Sequence, residues 1–170
     1  MEDETDLRLF PNLRSGWSRI GKSAEVIITG KNAKRVVFGA INIETGGRIF
    51  LARAKQRQED FQEFLRACKR QYRGWKIIMV LDEDSSHVAK KSKSLAEKMK
   101  ITLLWLPNRA SKLNPMEELW GQAKDETCAN WQYQTIDDQL MAFLSFLFSM
   151  SDAEALKTSG ILSGNFWLTK

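Results

Sequence analysis

The chain has 170 residues, 43% of them hydrophobic, with two cysteines and one histidine. That is enough for one buried core without a disulfide or metal staple. Cys68 and Cys128 show no close spacing, so reduced thiols are the expectation and neither a cysteine zinc module nor a secreted disulfide scaffold is suggested. The formal charge is +5 and uneven: residues 1–100 carry 21 basic and 13 acidic side chains, residues 101–170 carry 5 and 8. A basic surface of this kind suits a polyanionic partner, although many soluble domains share it. The acidic N-terminal segment has no charged-then-apolar leader and no apolar run approaches membrane-spanning length, so the expectation is a cytoplasmic protein with no membrane partner.

Residues 1–9 read as a short strand, followed by a polar loop around Gly16 and Gly21. Three extended segments are predicted next, at 25–29, 35–43 and 48–53. Thr45-Gly46-Gly47 marks a hairpin turn between the last two. From 58 to 72 the apolar residues Phe61, Phe64, Leu65, Cys68 and Tyr72 recur at spacings of three and four, which predicts a helix. Ile77 to Leu81 is a continuous apolar run, the pattern of a strand covered on both faces. A basic amphipathic helix follows, capped by Ser85 or Ser86 and carrying Lys90, Lys91, Lys93 and Lys98. Residues 101–106 repeat the buried-strand pattern, and Asn114-Pro115 opens a helix to about Cys128. A very apolar helix from about 135 to 150 begins a helical tail that ends in Phe166-Trp167-Leu168. The element order predicts a single α/β domain over 1–170, a meander joined by two parallel strands with helices on its faces.

Two carboxylates stand out. Asp82 ends the first buried strand, at the edge where open α/β sheets bind ligands, but a turn former before a helix reads the same way. Glu117 occupies the third position after Asn114, where a Glu can close a capping box, and Glu118 points elsewhere round the helix. A lone histidine such as His87 is more often structural than catalytic. The six tryptophans mostly sit in apolar patterns and read as core or sheet-edge packing rather than base-stacking platforms. No Gly-rich phosphate loop or nucleophile elbow is present.

Taken together, Val80-Leu81-Asp82-Glu83-Asp84-Ser85-Ser86-His87, then Leu104-Trp105-Leu106-Pro107, then Leu113-Asn114-Pro115-Met116-Glu117-Glu118-Leu119-Trp120 resemble the catalytic domain of mariner-superfamily transposases, in particular the bacterial insertion sequence 630 branch. The 34 residues between Asp82 and Glu117 match the interval between the second and third acids of that superfamily's Asp-Asp-Glu triad. Asp3-Glu4-Thr5 and Gly16-Trp17 resemble its first-acid segment, and Phe166-Trp167-Leu168 its tail. Glu83 and Arg109-Ala110-Ser111 depart from the usual residues.

The resemblance implies a ribonuclease-H-like fold, a mixed five-stranded sheet flanked by helices with a C-terminal helical extension. It implies a truncated first strand and no helix-turn-helix DNA-binding domain in the chain. It implies Asp3, Asp82 and Glu117 as catalytic residues and as ligands of two Mg²⁺ or Mn²⁺ ions, with Asp82 bridging. His87 and Asn114 would support them. The implied activity is DNA strand cleavage and strand transfer at transposon ends. The partners would be double-stranded DNA, as transposon ends and target, and a second copy of the chain when DNA is bound, in a bacterial cytoplasm at the nucleoid. The alternative is a catalytically silent remnant that binds DNA or a partner transposase chain through its basic face.

Overall fold

A computed structural model describes residues 1–22 and 25–169. Strand β1 (Glu2–Arg8) pairs antiparallel with β2 (Lys34–Ile41), and β2 with β3 (Arg48–Arg53). Helix α1 (Gln58–Gln71) leads to β4 (Ile77–Leu81), the short helix α2 (Ser85–Val88), α3 (Lys90–Lys98) and β5 (Ile101–Trp105). Helices α4 (Met116–Cys128), α5 (Ile136–Ser149) and α6 (Asp152–Thr158) complete the chain, with a 3-10 turn at Trp167–Thr169. No helix among the described residues is long and apolar enough to cross a membrane.

The pleat sorts the core into two layers. On β2, Val36 and Phe38 face one side, where they join Phe61, Phe64, Leu65 and Cys68 of α1, Met79 and Leu81 of β4, and Ile101 of β5. Val37 and Ile41 face the other, with Val80 of β4, Leu119 and Trp120 of α4, and Phe143 and Leu147 of α5. Residues alternate sides along a strand, so β2 and β4 each contribute to both layers and the arrangement is helix, sheet, helix.

Three expectations need correction. The five strands do not form one sheet: β1, β2 and β3 make a three-stranded sheet, and β4 and β5 a parallel pair in register from Ile77↔Ile101 to Leu81↔Trp105. A parallel ladder needs evenly spaced slanted backbone bonds along both strands. Strand β1 lies beside β4 but is laddered to β2 alone, and the two sheets are joined by the side chains of the shared core. The 25–29 segment is not a strand; β1 takes its place against β2, burying Leu7 while Ile27 stays 87% exposed. The basic helix is broken at Ala89 into α2 and α3, and its cap is Asp84, whose carboxylate accepts the Ser86 N–H at 2.8 Å.

The β2–β3 turn shows why its glycine matters. Gly46 has φ +78°, and a Cβ there would lie 2.3 Å from the Asp152 carbonyl oxygen at the start of α6. Gly46→Ala therefore combines left-handed strain with a backbone clash. It is expected to cost on the order of 1–3 kcal/mol in urea unfolding, whereas alanine at Gly74, which has φ +87° but open space around it, tests the strain alone.

Candidate active site

Alternation along β1 separates its acids. Asp3 shares a side with Leu7 and faces α4, where Trp120 donates its indole Nε1–H to Asp3 Oδ2 at 3.1 Å. Glu117 lies one turn before Trp120 on the same helix. Burial pushes the Asp3 carboxyl up to about 7, the charges of Glu117 and Glu4 push the same way, and the Trp120 bond opposes them. Asp3 and Glu117, 114 positions apart, thus meet electrostatically across β1 and α4. Lys124, a further two turns along α4, has its ammonium pKa lowered by burial, with Glu117, Asp6 and Asp3 among the groups opposing the shift.

The capping box that could account for Glu117 does not form. The Asn114 N–H donates to the Ser111 carbonyl at 2.7 Å instead of to Glu117, and Glu117 is left exposed. Asn114 is buried and works as a strap. Its Nδ2 donates to the Glu2 carbonyl at 2.7 Å while its Oδ1 accepts the Met116 N–H at 3.2 Å. One side chain therefore fixes the start of α4 to β1, and with it the placement of Glu117 relative to Asp3. The tail adds a second tie, since Trp167 donates its indole N–H to the Leu113 carbonyl at 2.8 Å.

Asp82 follows β4 directly, and its side chain is 58% exposed. Its Oδ1 accepts the Asp84 N–H at 3.0 Å and a bond from His87 Nδ1 at 3.0 Å. The His87 bond, with the Asp84 N–H, holds the carboxyl below its ordinary range despite partial burial. His87 is fully buried, against the Phe61 ring at 4.4 Å between centroids. Its Nε2 lies 2.8 Å from Glu4 Oε1 and 3.7 Å from Glu2 Oε2. Both ring nitrogens face oxygen acceptors, an arrangement that the doubly protonated ring satisfies. Burial opposes that charge, but Glu2, Asp82 and Glu4 together outweigh it and raise His87 to about 11. Burial raises the Glu2 carboxyl well above its ordinary value and raises Glu4 as well.

Asp82 is thus connected to β1 through His87 and Glu4, the neighbour of Asp3. Among the described residues, the acidic and histidine side chains drawn within 4.8 Å of one another are Glu2, Glu4 and His87, not the three carboxylates Asp3, Asp82 and Glu117. Glu2 and Glu4 escaped the sequence reading because an acidic run at a chain's start looks solvated. The signal available was strand parity, which places them together once Asp3 is assigned to the opposite side. The tryptophans also differ from expectation. Trp120 is buried, but Trp17, Trp75, Trp131 and Trp167 are exposed.

A family model described as "DDE superfamily endonuclease" matches residues 1–139. Comparison with curated protein sequences gives no match. Among solved structures, the chain resembles a Mos1 transposase paired-end complex with left transposon end, at a TM-score of 0.73 and 14% identity over 97% of this chain and 52% of that one. A Mos1 mariner paired-end complex with Mn gives 0.72 and 14% over 97% and 52%. The catalytic domain of Mos1 mariner transposase gives 0.59 and 13% over 79% and 71%. At such identities the likeness is one of fold, a mixed α/β ribonuclease-H-like arrangement. The chain spans about half the length of the Mos1 chains in the paired-end complexes.

Proposed function

The chain belongs to the DDE superfamily endonucleases, and from that premise we propose that it is the catalytic domain of a DNA transposase, cleaving and joining DNA strands at transposon ends. The observation that carries the reading is the opposition of Asp3 and Glu117 across β1 and α4, beside an Asp82 held ionised at the end of β4. Like charges held in a partly buried site are costly alone and are relieved by a cation. Carboxylate oxygens are the hard donors that Mg²⁺ and Mn²⁺ prefer, so the donor set fits these ions. When bound, such ions would offset charge developing on the attacking and leaving oxygens of a phosphoryl displacement.

The residues divide that work. Asp3, Asp82 and Glu117 would hold two ions between them. His87 keeps the Asp82 carboxylate oriented and ionised, and Asn114 keeps α4 in place. The exposed lysines Lys90, Lys91, Lys93 and Lys98 give DNA phosphates a sequence-independent counter-surface. The Mos1 structures that the chain resembles, a paired-end complex with a transposon end and complexes with Mn or Mg, support DNA ends as substrate and these metals; two copies acting together in a bacterial cytoplasm belong to the same proposal.

Calorimetric titration with Mg²⁺ and Mn²⁺, paired with a supercoiled-DNA nicking assay, tests the reading. Metal uptake and nicking that both disappear in Asp82→Ala are the expected result. Uptake that is absent or unchanged in Asp82→Ala, with no nicking, favours the silent DNA-binding chain instead. That alternative draws on the exposed lysines and on the spacing of the three carboxylates beyond mutual ligand reach.

A further inference from the structure

We propose that Glu2, Glu4 and His87 form a second metal site, a closed structural one for a single zinc-class divalent ion, separate from the carboxylates assigned above to phosphodiester chemistry. One donor atom from each of the three residues lies within 4.8 Å of the others. The site is built by parity and by one helical turn: β1 sends Glu2 and Glu4 to the same side, and α2 brings His87 over them. Mixed imidazole and carboxylate donors suit Zn²⁺. Mg²⁺ retains several waters and prefers octahedral oxygen coordination, which a buried donor set that includes an imidazole does not supply.

An independent feature points to a ligand. Glu2 is 0% exposed, and neither of its carboxylate oxygens has a hydrogen-bond partner. A buried carboxyl group without a hydrogen bond carries a desolvation cost that the charge of His87, 3.7 Å away, offsets only in part. The nearest polar group of the cluster, His87 Nε2, stands 3.7 Å away and is engaged with Glu4 at 2.8 Å. Both oxygens of Glu2 are unengaged, so that with Glu4 and His87 four donor atoms are available, the coordination number zinc favours.

The far side of the ring fits as well. His87 Nδ1 meets the Asp82 carboxylate at 3.0 Å and the Asp82 carbonyl at 3.1 Å. A metal-bound histidine typically donates its second N–H to such a group, which fixes the tautomer that leaves Nε2 free for the ion.

His87 is the only histidine in the chain, so its ¹⁵N resonances report this site alone. The probe is Zn²⁺ added to the full chain carrying Asp3→Asn and Glu117→Gln, which removes two of the proposed catalytic ligands, and to the unaltered chain. The expected result is one equivalent bound in the double variant and at least one in the unaltered chain, whose catalytic carboxylates can take further ions, with Nε2 moving to a metal-coordinated shift in both while Nδ1 keeps its proton, and a melting temperature that rises with zinc. Glu2→Gln and Glu4→Gln should each weaken zinc binding at least about tenfold. The proposal is overturned if His87 keeps two protonated nitrogens in excess zinc, or if zinc remains bound at full strength in both glutamine variants. The spectrum of the unaltered chain decides even where a variant does not fold, and neither outcome depends on whether the chain cleaves DNA.

Discussion

Trp120→Ala is expected to destabilise the fold by about 3–5 kcal/mol, near the upper range for core truncations. Trp120 is 2% exposed and lies on the backbone of Gly39 in β2. An added Cβ at Gly39 would stand 2.4 Å from its ring. The indole also stacks on Phe143 at 5.9 Å and tilts against Phe50 at 5.7 Å between centroids, so one side chain ties α4 to α5 and to the three-stranded sheet. Truncation leaves a cavity that β2 cannot fill, because glycine has no side chain to move. Gly39→Ala attacks the same contact from the other side, and Met116 Cε, 2.9 Å from the same position, blocks an alternative exit. Trp120→Phe separates packing from chemistry: most of the apolar contact survives, but the donor to Asp3 Oδ2 is lost. Urea unfolding should rank Trp120→Ala as the most destabilising of the three. Metal titration should show Trp120→Phe weakening divalent-ion uptake, because Asp3 then ionises less readily. A Trp120→Ala protein with unchanged midpoint and slope would contradict this account of the core.

Several elements were legible from local pattern alone. The apolar run of β4, the three-and-four spacing of α1 and the apolar helix beginning near residue 135 depend on neighbours in sequence and the structure keeps them. What was not legible depends on distant partners. Ile27 and Ile28 look like a strand, yet a ladder requires another strand to accept it, and β1 holds that position on β2. Glu117 looked like half of a capping box, yet Asn114 turns its side chain to the Glu2 carbonyl, 112 positions away. Gly39 gave no hint that a tryptophan from α4 would rest on it. In the site, Asp82 was legible because its place depends on where a strand ends. The bonding of His87 to Glu4, across 83 positions, has no local signature.

Asp3→Asn should make the metal-free protein more stable at pH 8 while abolishing its metal-dependent chemistry. The Asp3 carboxyl is raised from 3.8 to about 7, first by burial and then by Glu117 and Glu4. A group raised in the folded state contributes stability that is fully present below its unfolded value and is lost as pH rises through its folded value. For Asp3 that window runs from about pH 4 to pH 7. Asparagine keeps an oxygen to accept the Trp120 N–H but carries no charge, so the variant should lose none of this stability as pH rises. The two proteins should differ little at pH 4, and the variant should lead by roughly 1–3 kcal/mol at pH 8, allowing for solvent screening of a partly buried group. Millimolar Mg²⁺ should reverse the order, since an ion that binds only the folded state stabilises the parent chain and has lost a ligand in the variant. Nicking should fall by about three orders of magnitude, the several kcal/mol that a correctly held ion contributes to phosphoryl transfer. Urea unfolding at the two pH values, with and without Mg²⁺, reads the first part and a nicking time course the second. An Asp3→Asn chain that gains nothing at pH 8, or that nicks DNA at the parent rate, would remove Asp3 from the site and leave Asp82 and Glu117 without their third carboxylate.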